Sequence, residues 1–293
     1  MTTLETTSVV AAPVAASPAA VKRKARRHLP LSLVVGLAIL AAWLVLTIVV
    51  PLAVGRSATE VVYGSKLLSP SPQFWFGTDD LGRDLLVRTA VAFRYDITVA
   101  MASVLAAASV GLIVGAIAGT AVEWIDNLLM GLIDVISAFP SFVLALAMAA
   151  AFTPSLGTLV LSIAIVFTPY YARTTRAAIL TERNKPYADA ARAMGFKPAR
   201  IVFLHLLPNS VPYTMTLIAT DVSGAIMVTA GLSFLGFGVQ PPNAEWGLMI
   251  SQGNSFIISG QWWVSFFPGI AVISLISAFL LIDLGIRRIQ QKL

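Results

Sequence analysis

The chain has 293 residues, 57% of them hydrophobic and only 12% charged, with a net charge of +6 and a mean hydropathy of +0.84. A soluble domain carries roughly 25% charged residues, so the composition calls for an all-α integral membrane protein of about six spans. There is no cysteine and there are two histidines, His28 and His205; disulfides, thiolate metal sites and cysteine nucleophiles are excluded, and a histidine metal site has no ligands to draw on.

Residues 1–30 read as a disordered basic tail. Residues 1–21 carry one acid and no periodicity, and Lys22-Arg-Lys-Ala-Arg-Arg27 follows a weak apolar stretch instead of preceding it. That order describes a cytoplasmic anchor and not a secretory signal. The basic residues cluster beside apolar runs, which the positive-inside rule explains without nucleic acid. The first span, Leu31 to Val54, is long enough to cross about 30 Å of hydrocarbon, and it places residues 55–94 outside. Within that segment Phe76-Gly-Thr-Asp-Asp-Leu-Gly-Arg-Asp84 has the Gly77-x4-Gly82 spacing of a phosphate-binding loop. Arg83 and Asp84 stand where lysine and serine or threonine are needed, and Asp79 and Asp80 would repel phosphate. The expectation is a turn-rich outer loop, in a chain that binds no nucleotide itself.

Residues 95–293 then read as a transmembrane domain. The second span runs from about Ile97 to Val122, with Ser103, Ala107, Gly111, Gly115 and Gly119 recurring every fourth residue. Such a ridge lets another helix approach closely, within the subunit or in a partner. The turn Glu123-Trp-Ile-Asp126 is cytoplasmic by count of spans yet carries no basic residue. The third span, about Leu128 to Phe152, should be kinked at Pro140. A short fourth span ends near Tyr171. The fifth covers about Tyr213 to Phe234, with Asp221 near its middle, where a carboxylate marks a candidate transport path; Asp134 and Asp283 fall near span ends. Glu245 and Trp246 occupy the next outer loop. Trp262 and Trp263 mark the outer edge of the sixth span, and Arg287, Arg288 and Lys292 anchor the C-terminus inside.

The longest polar interruption, Arg173 to Asn209, holds seven of the twenty lysine and arginine residues against only Glu182 and Asp189. One short helix starts at Pro186 and stops at Gly195; a second starts at Pro198 and runs out by Pro208. On the first, Tyr187, Ala190, Ala191 and Met194 form an apolar face, and Asp189 and Arg192 pair on its flank. The alanines would let another protein's backbone come close. No catalytic motif offers itself: Ser233 in its Gly-x-Ser-x-x-Gly run has no nearby base. An ion-coupled secondary transporter would show more membrane acids and two similar halves. A transport subunit driven by a separate motor needs a cytoplasmic docking loop, and the 187–208 loop supplies one.

The pattern Asp189-Ala-Ala-x3-Gly195, followed by His205-Leu-Leu-Pro208, resembles the Glu-Ala-Ala loop of bacterial ABC importer permeases. Asp189 replaces the usual glutamate and His205 the usual isoleucine, while the glycine and Leu-Pro spacing is kept. The Phe76–Asp84 loop resembles the peptide and nickel branch of that family. So do Leu232-Ser-Phe-Leu-Gly-Phe-Gly-Val-Gln-Pro-Pro242 and Trp262-Trp-x3-Phe-Pro-Gly269, and within the branch the chain is similar to the permease subunit lettered C. This resemblance implies six spans with both termini cytoplasmic and a coupling helix between the fourth and fifth. It also implies a location in the bacterial inner membrane, among lipid, beside a second, homologous permease. Two cytoplasmic ATPase subunits would hold ATP and Mg, an extracytoplasmic binding protein would deliver substrate, and this chain would carry no cofactor or catalytic residue. Tyr187, Asp189, Ala190, Ala191, Gly195 and Pro208 become the expected ATPase-coupling residues. Peptides are the expected cargo, with nickel or a metal chelate as the alternative within the branch.

Overall fold

Uninterrupted apolar sequence sets the frame. The computed structural model describes residues 29–291. In it α1 (Leu31–Val54), α2 (Leu85–Thr120), α5 (Leu156–Glu182) and α11 (Trp263–Gln290) are each long and apolar enough to cross a membrane. Two further spans are broken in the middle. Helix α3 (Glu123–Ser137) meets α4 (Ser141–Ala151) at 89°, and the run Pro198–Met215 meets α9 (Ile218–Phe234) at 54°. Counting each bent pair once gives the six spans expected from composition. The shorter elements are α6 (Pro186–Ala193), α7 (Pro198–Ile201), a π-helical turn Val202–Leu206, α8 (Leu207–Met215) and α10 (Trp246–Ile257). No strand occurs among the described residues. The expected tail with its basic cluster, and Lys292, lie outside them.

Helix α1 has the expected bounds. It packs on α11 where side chains vanish: a Cβ on Gly36 would stand 2.6 Å from the Ala278 carbonyl oxygen, and one on Gly285 would run into Leu33. The Trp43 ring N–H donates to Ser274 Oγ at 2.9 Å and fixes the register.

Helix α2 begins at Leu85, well before Ile97. The cause is Asp84, whose carboxylate accepts from the backbone N–H groups of Leu86 (2.9 Å) and Val87 (3.3 Å), an N-cap. Arg88 and Asp96, which make this stretch look like loop, are both buried. The small-residue ridge faces α5. A Cβ on Gly111 would overlap Tyr171, and those on Gly115 and Gly119 would each stand 2.7 Å from Thr175 and Ile179 side chains. Of the two placements open to the ridge, the one within the subunit holds. Gly111 facing Tyr171 and Gly119 facing Ile179 also make α2 and α5 parallel, so the α3–α4 pair must bring the chain back between them.

That return is sharper than a kink. Pro140 has no N–H to continue α3 and biases Phe139 away from helical geometry, so the helix ends and restarts nearly at right angles. Helix α5 also outruns its expected end at Tyr171. Arg173 reaches Asp134 at 2.7 Å, and the Arg176 Nε donates to Asp126 at 2.6 Å. The acidic turn at Glu123–Asp126 is thus answered by a cation from α5 and not by its own neighbours. In the fifth span the helix breaks at Thr216–Leu217, which puts Asp221 in the first turn of α9 instead of at mid-span.

Residues 55–84 are folded. The amides of Leu81 and Arg83 donate to the Asp79 carboxylate at 3.0 and 2.9 Å, and Arg83 Nε donates to it at 2.6 Å. The loop therefore cradles its own carboxylate where a phosphate-binding loop would cradle phosphate. Arg88 Nε lies 3.3 Å from the same carboxylate, and its guanidinium donates to the Ala58 carbonyl at 2.8 Å. Phe76 stacks on Phe267 at 3.9 Å and binds the loop to α11. Trp263 is buried against the loop while Trp262 stays half exposed, so only the latter has a surface position.

Candidate functional site

The sequence-predicted residues come together at the end of the bundle where α2 and α5 both finish. Lys185 ends the turn after α5 and Pro186 opens α6, where its missing N–H costs nothing. At the other end the Phe196 N–H donates to the Ala191 carbonyl at 3.2 Å and the Gly195 N–H to that of Arg192 at 2.9 Å. This pair of bonds is a Schellman motif, and Gly195 at φ +77° provides its left-handed residue. Nothing lies within 4 Å of a Cβ built on Gly195, so backbone conformation alone demands glycine there.

Glu182 ties α6 to α5. Its carboxylate is buried and accepts from Lys185 Nζ at 2.6 Å and from the Tyr187 hydroxyl at 2.8 Å. The bond to Glu182 raises the Lys185 pKa, and burial followed by the same carboxylate raises that of Tyr187. Both donors therefore keep their protons at neutral pH.

The stripe read as a surface for another protein is divided between the two sides of α6. Ala188 and Ala191 are buried with Ile179, Ile201 and Leu206, and Tyr187 is packed against them. Ala190 and Met194 are exposed, with Asp189 beside them. The small Ala188 and Ala191 let α6 come close to Ile179 of α5 and Ile201 of α7, and Met194 is left on the outer side. Asp189 pairs with Arg192, whose guanidinium also donates to the Arg183 carbonyl at 2.8 Å. The outward surface thus offers an acid, an alanine and a methionine on a helix pinned at both ends.

Pro208 stands apart. The helix does not run out there; it passes from α7 through the π-helical turn into α8, with Pro208 exposed near the start of α8. The Leu207 N–H reaches the Val202 carbonyl five residues back, the wide turn that accommodates the missing N–H of Pro208. The Asn209 amide donates to the His205 carbonyl at 2.8 Å, and His205 stacks on Phe196 at 6.1 Å. His205, not Pro208, is the residue of this motif that touches the α6 side.

Sequence reasoning missed Glu182 as the anchor, although Lys185 and Tyr187 at i+3 and i+5 were a readable signal. It also missed a buried pair at the opposite end. Asp96 of α2 and Glu245 before α10 are 0% and 1% exposed. Glu245 caps α10, accepting from Gly247 and Leu248 at 3.0 and 2.8 Å, while the Trp246 N–H points at Asp96 from 3.4 Å. Trp246 is enclosed by Trp43 and Phe93 and donates its ring N–H to the Thr89 carbonyl at 2.9 Å. Nothing in the spacing of residues so distant in the chain foretold this contact.

Residues 111–292 match the model of a family described as binding-protein-dependent transport system inner membrane component. A dipeptide transport system permease of Alkalihalophilus pseudofirmus is 37% identical over 87% of this chain and 83% of its own. A probable D,D-dipeptide transport system permease of Escherichia coli is 37% identical over 76% and 74% of the two chains. A glutathione transport system permease of Pectobacterium atrosepticum is 34% identical over 74% and 72%. Among solved structures, an inward-facing methionine ABC transporter shares the fold at a TM-score of 0.55 and 19% identity, covering 71% of this chain and 95% of that one.

Proposed function

The chain belongs to the binding-protein-dependent transport system inner membrane component family and is a multi-pass protein of the inner membrane; from that premise we propose that it is one permease subunit of an ATP-driven peptide importer. It pairs with a second, similar permease to enclose the path. Two cytoplasmic ATPase subunits hold ATP and Mg and hydrolyse the nucleotide, and an extracytoplasmic binding protein delivers the cargo. The basic residues at the α6 end face the cytoplasm, which sets the folded 55–84 loop and α10 outside. Peptides are favoured over nickel or a metal chelate because dipeptide, D,D-dipeptide and glutathione are the cargoes named for its relatives.

The observation that carries the coupling reading is that α6 is rigidly held yet exposed. Glu182 binds it to the end of α5 and the Schellman motif closes its far end, while Asp189, Ala190 and Met194 face outward. Helix α5 is continuous from that anchor and is locked to α2 along the glycine ridge. A displacement of α6 by a closing ATPase pair would therefore tilt two spans together and not merely bend a loop. ATP binding supplies the bias between the two states.

Gly195→Pro removes the N–H donated to Arg192 and cannot adopt φ +77°; Asp189→Arg reverses the charge of the exposed face. Each is expected to lower substrate-stimulated ATPase activity of the assembled complex by roughly fivefold or more, with insertion and assembly intact. Wild-type transport by an inserted Gly195→Pro complex would sink the coupling reading.

A further inference from the structure

We propose that the cleft between the cytoplasmic end of α2 and the α7–π segment binds an anionic phospholipid, its headgroup at Arg183 and Arg192 and an acyl chain along α2. Two cavities adjoin there and share Thr120, Pro198 and Val202 in their walls. The first, of about 360 Å³, is lined by Arg183, Arg192 and Phe196. The second, of about 310 Å³, is walled by Ile113, Ile117, Phe203 and Leu207 and is almost wholly apolar. A chamber that carries two arginines beside an apolar trough along a membrane span fits the headgroup and one chain of a lipid.

Charge chooses the kind of lipid. Arg183 donates to the Gly119 carbonyl at 3.2 Å and forms no ion pair among the described residues. Arg192 shares its charge with the largely exposed Asp189, and Arg200 lies over the Phe196 ring at 4.7 Å. The chamber is thus lined by two cations, of which only Arg192 is paired with a carboxylate among the described residues, and this favours an anionic over a zwitterionic headgroup.

The trough points to lipid and not to water. Ile113 and Ile117 lie on the face of α2 turned away from the glycine ridge, and they are 60% and 47% exposed. Phe203, which lines the trough, continues that apolar surface at 66% exposed. Binding here would clamp α6 to α2 through Arg192 and Arg183; that consequence rests on the coupling reading, whereas the binding itself does not.

Native mass spectrometry of the delipidated complex, without nucleotide, separates the sources of the ligand. Phosphatidylglycerol is expected to be retained on the order of tenfold better than phosphatidylcholine, since each removed cation near an anionic surface costs a few-fold in binding. Arg183→Gln with Arg192→Gln should erase that preference. Phe203→Ser, at an exposed site that does not threaten folding, should weaken retention of both lipids. Equal retention of the two lipids by the wild type would overturn the proposal. So would displacement of phosphatidylglycerol by inorganic phosphate alone, or a disulfide cross-link from Phe203→Cys to the second permease showing that protein covers the trough. A coupling failure leaves these readouts untouched, so the two ideas fail separately.

Discussion

Glu245 is a buried acid with no cation at its carboxylate among the described residues, and its environment sets a pH dependence. Burial pushes its pKa up, against the hydrogen bond with Asp96 and the backbone amides of Leu248 and Gly247, which favour the charged form. A carboxyl whose folded pKa lies above its unfolded value binds its proton more tightly in the native state. The stability it contributes is complete below the ordinary glutamate value of 4.5 and is lost as pH rises through the folded value. Thermal unfolding of the detergent-solubilised protein should therefore give a Tm that falls with rising pH above that ordinary value. Glu245→Gln keeps an acceptor for the α10 amides and removes one carboxyl of the buried Asp96–Glu245 pair, so it should make the profile shallower, and adding Asp96→Asn should flatten it. An unchanged slope in the double variant would mean the dependence arises elsewhere.

At the scale of elements, the α2–α5 ridge is the seam most sensitive to volume. A leucine at Gly115 would drive into Thr175 and the Arg176 backbone, 2.7 and 2.9 Å from its Cβ. Overpacking of this kind costs about 1–3 kcal/mol, and more when backbone cannot yield. Gly115→Leu is expected to lower the Tm and the yield of monodisperse protein, whereas Gly131→Leu on α3, with open space around its Cβ, should change neither. Helices of this kind were legible to different degrees. The bounds of α1 follow from apolar run length alone, and the fourfold ridge followed from residue size. The start of α2 did not, because Arg88 and Asp96 look solvated until tertiary partners bury them. For α6 the stripe did not reveal that Ala191 turns inward with Ala188 while Ala190 and Met194 stay outside, because periodicity does not say how closely α6 approaches α5. Pro208 misled for a related reason, since a wide helical turn absorbs a missing N–H that a regular α-helix would not.

For the whole molecule, the question is where the energy of uptake enters. An ion-coupled transporter would need a titratable group on the path, and the break before α9 offers one. Asp221 sits in the first turn after it, half-buried, with one carboxylate oxygen lacking a hydrogen-bond partner among the described residues. Broken helices with a buried acid are how many secondary transporters hold ions. Its neighbourhood, however, is already braced: Arg287 of α11 donates to Asp283 at 2.8 Å and lies 3.5 Å from the Thr220 hydroxyl beside Asp221. That arrangement joins α11 to the start of α9 as one unit, which suits a rigid-body tilt better than an ion gate. Proteoliposomes holding both permeases, both ATPases and the binding protein provide the decisive comparison. Accumulation of a labelled dipeptide should require ATP on the ATPase side and survive a protonophore. Asp221→Asn should lower its rate at most modestly without changing that requirement. Uptake that persists without ATP, and collapses with the ion gradient or with Asp221→Asn, would move the driving force from α6 to the α8–α9 break.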